Sequence, residues 1–452
     1  MVSPVPASQP NPALFYPPHA QPLRGDESFV RSTLTFLKNP LEGFGPLSYT
    51  QPIVSLKTFG YKTHVVSDPE GMNTILATHA ANFTKAPIDH RILSPATKEG
   101  LLSVHGEQWK RQRKAVAPIF RPRYIEQLAP MVSDVLQAFT AKLGQRAEIE
   151  LNAAMAELTF DVLAKALLGD PQGLDGERLK YATRNVVTSA GTLRPDDLLP
   201  LPRWLPRPMT PKGTLALRRL KAAADELIAS RDPENPGDDL VGLLIGTGLS
   251  PREQRDNLIG FFIAGHETTA LTLTWALYLI GRVPSVAERI RVEVESVAGD
   301  EPLTYVHTKE LPFTQAVIDE TMRLYPPAPI LNRECHVATE VCGRTMQPGD
   351  VIILNNYIMH RTERLWDDPH AFDPDRFLRD PSLKSKTAPF KAFGAGPRIC
   401  VGAAFATMES LMALATLVRD YDIHVADSIY PKPVMTVTLR PEGGVPARLT
   451  RR

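Results

Sequence analysis

One thiol in this chain is set in a context that suits coordination chemistry. Cys400 closes the run Phe393, Gly394, Ala395, Gly396, Pro397, Arg398, Ile399, Cys400, and Val401 and Gly402 lead into a helix predicted over 401–418. Free N–H groups at a helix amino terminus favour a thiolate, and the glycines let the backbone come close to sulfur or to a flat ligand. Arg398 can pair with a ligand carboxylate, and Phe393 can cover the ligand and limit water near sulfur. The plain alternative for a lone cysteine is a buried apolar thiol. Zinc would need more ligands, and the other two cysteines, Cys335 and Cys342, have neither a C-x-x-C spacing nor a histidine cluster beside them. A nucleophilic cysteine would need a positioned base that the local sequence does not show.

A second chemical segment runs Ala264, Gly265, His266, Glu267, Thr268, Thr269 inside a long apolar stretch. The small Ala264 and Gly265 would let a flat ligand approach, while Thr268 offers a hydroxyl and Glu267 a carboxyl for moving protons. The simpler reading of Thr268 is a hydroxyl bonded to the preceding turn. Neighbouring helix positions face different ways, so His266 is not assigned as a ligand. Upstream, Trp109 and Arg113 are four apart on one predicted helix, where an indole N–H and a guanidinium suit carboxylates; His105 is a further candidate for that network. Glu320 and Arg323 share a helix face and can reach Arg376 in Pro374, Asp375, Arg376, Phe377, although surface salt bridges often have the same spacing.

Taken in order, these five segments resemble the cytochrome P450 family: WxxxR, AGxETT, ExxR, the PERF segment and the FxxGxRxCxG loop. The likeness spans roughly residues 25 to 450, and the second half is similar to the haem domain of bacterial fatty-acid hydroxylases. Asp375 stands where the family usually has Glu. The resemblance implies a mainly α (α+β) cytochrome P450 fold with a smaller β-rich portion, holding heme b (iron protoporphyrin IX) on the Cys400 thiolate. It places Trp109, Arg113, Arg398 and His105 near the haem propionates, Ala264 and Phe393 against the macrocycle, and Thr268 with Glu267 on the proton route. Glu320, Arg323 and Arg376 become a structural trio. Substrate contacts are expected from the connection at 85–103 and from Phe261, Ala264, Ala328, Ile330 and Val437.

The implied reaction is a monooxygenation, in which dioxygen and two electrons hydroxylate a hydrophobic small molecule such as a fatty acid, terpene or steroid. Alternatives are an epoxidase, a peroxygenase or isomerising haem-thiolate enzyme, and a haem sensor, which would leave the Thr268 segment unexplained. The implied electron donor is a ferredoxin or flavodoxin with an NAD(P)H-dependent reductase. Lys110, Arg111, Lys114, Arg121 and Arg123 are its candidate docking patch.

These groups need rigid elements to hold them. Helices are expected at 27–38, 69–76, 107–116, 124–143, 151–168, 177–192, 213–230, 236–246, 251–281, 283–298, 311–324 and 401–418, a hairpin at 53–67, and strands near 337–354, 433–440 and 446–450. Residues 1–24 read as a proline-rich arm laid over the surface and 25–452 as one domain. The connection at 194–213 is unusually apolar, with Leu198, Leu199, Leu201, Trp204 and Leu205, as befits an entrance loop. Lys and Arg total 51 against 50 Asp and Glu, so no global field would gather nucleic acid. Three cysteines in 452 residues argue against a disulfide framework. A soluble, cytoplasmic monomer without signal peptide or transmembrane anchor is expected, since His266 and Glu267 in the middle of the longest apolar run would be costly in lipid.

Overall fold

The computed structural model describes residues 11–58, 60–169, 176–191, 193–199, 201, 205, 207–232 and 234–452. Its main helices are α1 (Phe29–Lys38), α2 (Pro87–Thr97), α3 (Gly106–Val116), α4 (Pro122–Leu143), α5 (Leu151–Leu168), α6 (Gly176–Gly191), α7 (Pro211–Ala229), α8 (Pro251–Arg282), α9 (Pro284–Ala298), α10 (Pro312–Leu324) and α11 (Ala403–Asp420). The strands are β1 (Ile53–Thr58), β2 (Tyr61–Val66), β3 (Phe83–Thr84), β4 (Arg146–Glu150), β5 (Ile330–Cys335), β6 (Thr339–Val341), β7 (Arg344–Met346), β8 (Val351–Asn355), β9 (Tyr421–His424), β10 (Pro433–Met435), β11 (Leu439–Pro441) and β12 (Pro446–Arg451).

The long helix α8 is the axis of the helical body. Its start is fixed by Ser250, whose side chain accepts from the Glu253 N–H while the Glu253 carboxylate accepts from the Ser250 N–H, and Pro251 supplies a preset first turn. Every residue from Thr269 to Gly281 is buried, which accounts for an apolar surface all the way round the helix. α5 packs along it closely enough that a Cβ at Gly265 would lie 2.9 Å from the Leu163 side chain. One apolar core takes in side chains from Ala20 to Leu449. Among the described residues no single helix is long and apolar enough to cross a membrane.

The β-rich portion is a five-stranded sheet of order β1-β2-β8-β5-β3, with Ile53 opposite Val66 in the first hairpin and β2 parallel to β8. Three further small sheets join β4-β12-β9, β6-β7 and β10-β11. Their turns bring Val437, between β10 and β11, to the cavity described below.

Several expectations change. The connection at 85–103 contains α2, which carries Pro95 inside it; that proline masks the helical period in the sequence. The helix expected at 236–246 is only Leu240–Ile245, because Gly237 adopts φ +95° and Asp239 caps the helix by accepting from the Gly242 N–H. The strand before 337 starts at Ile330. Residues 1–10 of the arm lie outside the described residues, as does Trp204 of the apolar connection. From 11 to 24 the arm packs one side against the body: Pro17, Pro18 and Ala20 are buried, while Asn11, Gln21 and Pro22 are exposed. Phe15 bridges Phe372, the Ala20 N–H donates to the Tyr357 hydroxyl at 2.8 Å, the Tyr325 hydroxyl donates to the Pro18 carbonyl at 2.7 Å, and Ala20 is buried.

Candidate active site

A cavity of about 470 Å³ lies between α8 and the loop before α11. Cys400 lies on its wall and is open to it. The loop is closed by a hydrogen bond from the Cys400 N–H to the Phe393 carbonyl, 3.0 Å, and Gly402 stands at the cap of α11. Gly394 and Gly396 both have positive φ, +75° and +67°, and a Cβ on Gly396 would sit 1.9 Å from the Leu76 carbonyl oxygen, so no larger residue fits there. Burial pushes the Cys400 thiol above its ordinary value, while the Gly402 backbone and the charge of Arg113 pull it back.

Beside the sulfur is a concentration of positive charge. Trp109 and Arg113 both line the cavity from α3, and the Arg398 guanidinium stacks 4.3 Å over the Trp109 ring. Among the described residues the Arg398 guanidinium otherwise makes only two long bonds, 3.3 Å each, to the Val104 carbonyl; burial, with Arg333 adding to it, lowers its pKa to about 10. Arg113 makes no hydrogen bond or ion pair with the described residues. Two cations that sequence reasoning did not single out join them on the wall, Lys85 and Arg333. Burial lowers Lys85 to about 8, with Asp89 opposing and Arg398 and Arg333 reinforcing, and its ammonium donates to the Leu102 carbonyl. Arg333 lies in β5 between Asn332 and Glu334, so its charge does not stand out in the sequence. His105 precedes α3 as its cap position, is exposed and is not among the cavity-lining residues.

On the opposite wall, Ala264 and Thr268 face the cavity, one turn apart on α8. The Thr268 hydroxyl donates to the Ala264 carbonyl at 2.8 Å, the local bond expected of a helical threonine, and keeps its oxygen free to accept. Gly265 lines the cavity too, but its missing Cβ chiefly admits Leu163 of α5. Glu267 is placed differently from Thr268. One position before Thr268, it turns off the cavity face, and its carboxylate accepts from the Thr438 hydroxyl at 2.6 Å and pairs with Arg440. His266 is turned away and buried, its Nδ1 2.6 Å from the Phe262 carbonyl oxygen. Phe261, Ala328, Ile330, Phe393 and Val437 all line the cavity, and Phe261 meets Phe120 edge-on at 5.3 Å.

Behind the loop the charged trio is complete. Arg323 donates to both Glu320 oxygens at 2.7 and 2.8 Å and to the carbonyls of His360, Pro369 and Ala371, and Arg376 reaches Glu320 at 3.1 Å. Glu320 and Arg323 are wholly buried. Asp375, in the position where a Glu is usual, forms a two-pronged pair with Arg289 at 2.7 and 2.8 Å.

The cytochrome P450 family profile matches residues 47–445. The chain belongs to the cytochrome P450 family. Protein LUTEIN DEFICIENT 5 of Arabidopsis thaliana is 29% identical to this P450 over 87% of the chain and 71% of its own length. Cyclooctatin synthase of Streptomyces melanosporofaciens is 27% identical over 91% and 92%, and the taurochenodeoxycholic 6 alpha-hydroxylase of Sus scrofa is 27% identical over 86% and 82%. This P450 is therefore a haem-thiolate monooxygenase of mainly α fold.

The residues present fit that cofactor. An open thiol lies on one wall, a small Ala264 on the other, and cations without carboxylate partners stand where two propionates would be received. Cys400 would hold the iron and Trp109, Arg113 and Arg398 the propionates, with Arg333 and Lys85 on the same wall. When bound, haem supplies the redox chemistry of dioxygen reduction.

Proposed function

We propose that this P450 hydroxylates a hydrophobic small molecule. One atom of dioxygen enters a C–H bond as an alcohol and the other leaves as water, which consumes two electrons and two protons. The observation that carries this reading is the facing pair: the Cys400 thiol on one wall of an apolar cavity, Thr268 on the other. The chain's own tasks divide accordingly. Cys400 donates electron density, the cationic wall binds and orients the cofactor, and Phe261, Ala328, Ile330 and Val437 exclude water and hold the substrate. Thr268, with its oxygen open to the cavity, presents protons through ordered water, and Glu267 is the acid behind it, held at rest by Arg440.

A ferredoxin or flavodoxin supplies the electrons. The docking face is narrower than the sequence suggests. Arg111 is engaged with the buried Glu253 and Lys110 with Glu107, which leaves Lys114, Arg121 and Arg123 as its exposed charges without a carboxylate partner among the described residues.

The test is twofold. Reduced, carbon-monoxide-treated protein should absorb in the region of about 450 nm, as strong thiolate donation requires. Turnover of a substrate library with a surrogate ferredoxin and reductase should then give a product heavier by one oxygen. Spectral binding without any NAD(P)H-dependent oxidised product across several competent redox partners would overturn the enzymatic reading in favour of a sensor.

A further inference from the structure

A second cavity of about 420 Å³ adjoins the first, bounded by α1, α2, the first hairpin and Leu198, Leu199 and Leu201 of the apolar connection. The two share four wall residues, Asp89, Leu93, Ile330 and Val437, and so adjoin along them, a shared wall here termed the throat. Three of the four are aliphatic. The fourth is a carboxyl on the first turn of α2, and its situation is unusual.

Asp89 has one oxygen engaged: Oδ1 accepts from the Asn332 side-chain amide at 2.9 Å. Among the described residues Oδ2 accepts no hydrogen bond, and no cation lies within ion-pairing distance of the carboxyl. Burial raises its pKa, against the pull of Asn332, Lys85 and Arg333. The other ionisable groups of the second cavity are spent on each other. Arg91 pairs with Asp196 at 3.0 Å and lies 3.7 Å from Asp197, which is held in turn by Arg207 at 2.7 Å. In the first cavity the cations belong to the cofactor side. The throat is thus an aliphatic ring with one spare polar acceptor, Asp89 Oδ2, on a half-buried side chain that lines both cavities and is available to a ligand donor.

The geometry points to Asp89 as the polar anchor of the substrate, an apolar molecule long enough to reach through both chambers and carrying a hydroxyl that donates to Oδ2. This rests on the monooxygenase reading and narrows its substrate class. A hydroxyl completes the hydrogen bonding of Asp89. A fatty carboxylate would instead bring a second carboxyl against it, and the two could share the site only by taking up a proton, a cost that a hydroxyl does not carry. The molecule preferred here is therefore an alcohol and not the fatty acid that the sequence resemblance suggests.

Matched probes decide it. Dissociation constants from the spin-state difference spectrum would be measured on the haem-loaded protein for dodecane, 1-dodecanol and dodecanoate. The expected result is that 1-dodecanol binds about tenfold more tightly than either of the others, as one added hydrogen bond to this acceptor allows. Asp89→Leu should cancel the advantage of the alcohol over the alkane, and Asp89→Asn, whose amide oxygen still accepts, should retain part of it. Equal or tighter binding of dodecanoate by the unmodified protein, or an unchanged alcohol preference in Asp89→Leu, overturns the assignment. A normal thiolate band in the carbon monoxide spectrum of each protein shows that the cofactor site is intact, so failure of the anchor is distinguishable from failure of the monooxygenase reading. Should Asp89→Leu not take up haem, the alcohol-to-acid ratio of the unmodified protein and the Asn variant decide alone.

Discussion

The two faces of the active cavity are built on opposite principles. Behind the Cys400 loop the charged trio is fully engaged: Glu320 and Arg323 are wholly buried and bonded to one another, Glu320 also to Arg376 and Arg323 to three carbonyls. On the far side, polar groups are left open or lightly held, namely the Thr268 oxygen, the second oxygen of Asp89 and a Glu267 carboxylate kept off the cavity by Arg440. A metal ligand must stay at one distance and orientation through every turnover, whereas substrate and protons must come and go. The difference in bonding follows from that difference in duty.

The contrast can be broken from the rigid side first. Arg323→Ala strands the buried Glu320 carboxylate and three carbonyls, and should cost about 3–5 kcal/mol, the usual penalty for half of a buried pair. The protein would be recovered largely without haem, as read by the ratio of Soret to protein absorbance. An Arg323→Ala protein that loads haem and melts like the parent would show that the trio is dispensable. On the open side, Thr268→Ala removes only a local bond to Ala264 and a cavity hydroxyl. Stability should stay within about 0.5 kcal/mol, as for substitutions free of packing loss. The fraction of consumed dioxygen appearing as product should fall several-fold, with peroxide in its place, and unchanged coupling would remove Thr268 from proton delivery. The smallest effect is expected outside the cavity. Lys114→Glu should slow reduction by an acidic ferredoxin about two- to tenfold at low salt, and the difference should fade at high salt. A rate indifferent to both charge and salt would place the docking site elsewhere.

The same division governs how much could be read in the sequence. The rigid side was legible because its residues do their work at short spacing: the glycines and Cys400 lie within one loop, and Glu320 and Arg323 are one helical turn apart. Even Gly396 could be read as a position needing special backbone freedom, although the Leu76 carbonyl that forbids a side chain there could not. The open side was read less well. Thr268 and Glu267 are adjacent in sequence but face different surroundings, and only the fold shows Arg440 and Thr438 beside the glutamate. Lys85, Asp89 and Arg333 gave no motif at all, since the throat and the cationic wall are assembled from α2, β5 and the β10–β11 turn. Pro95 further hid α2. The apolar connection near 198–201 looked anomalous for a loop, and it is explained by lining the second cavity.

The amino-terminal arm has a consequence for the order of events during synthesis. Its Pro18 and Ala20 are anchored by Tyr325 and Tyr357, Tyr16 donates to Asp368, and the Tyr16 carbonyl accepts from Tyr430, 414 positions further on. The first of these residues to leave the ribosome must therefore wait for nearly the last before it can dock. Until then the aromatic cluster it covers stays open, and chaperones have that interval in which to act on the nascent chain.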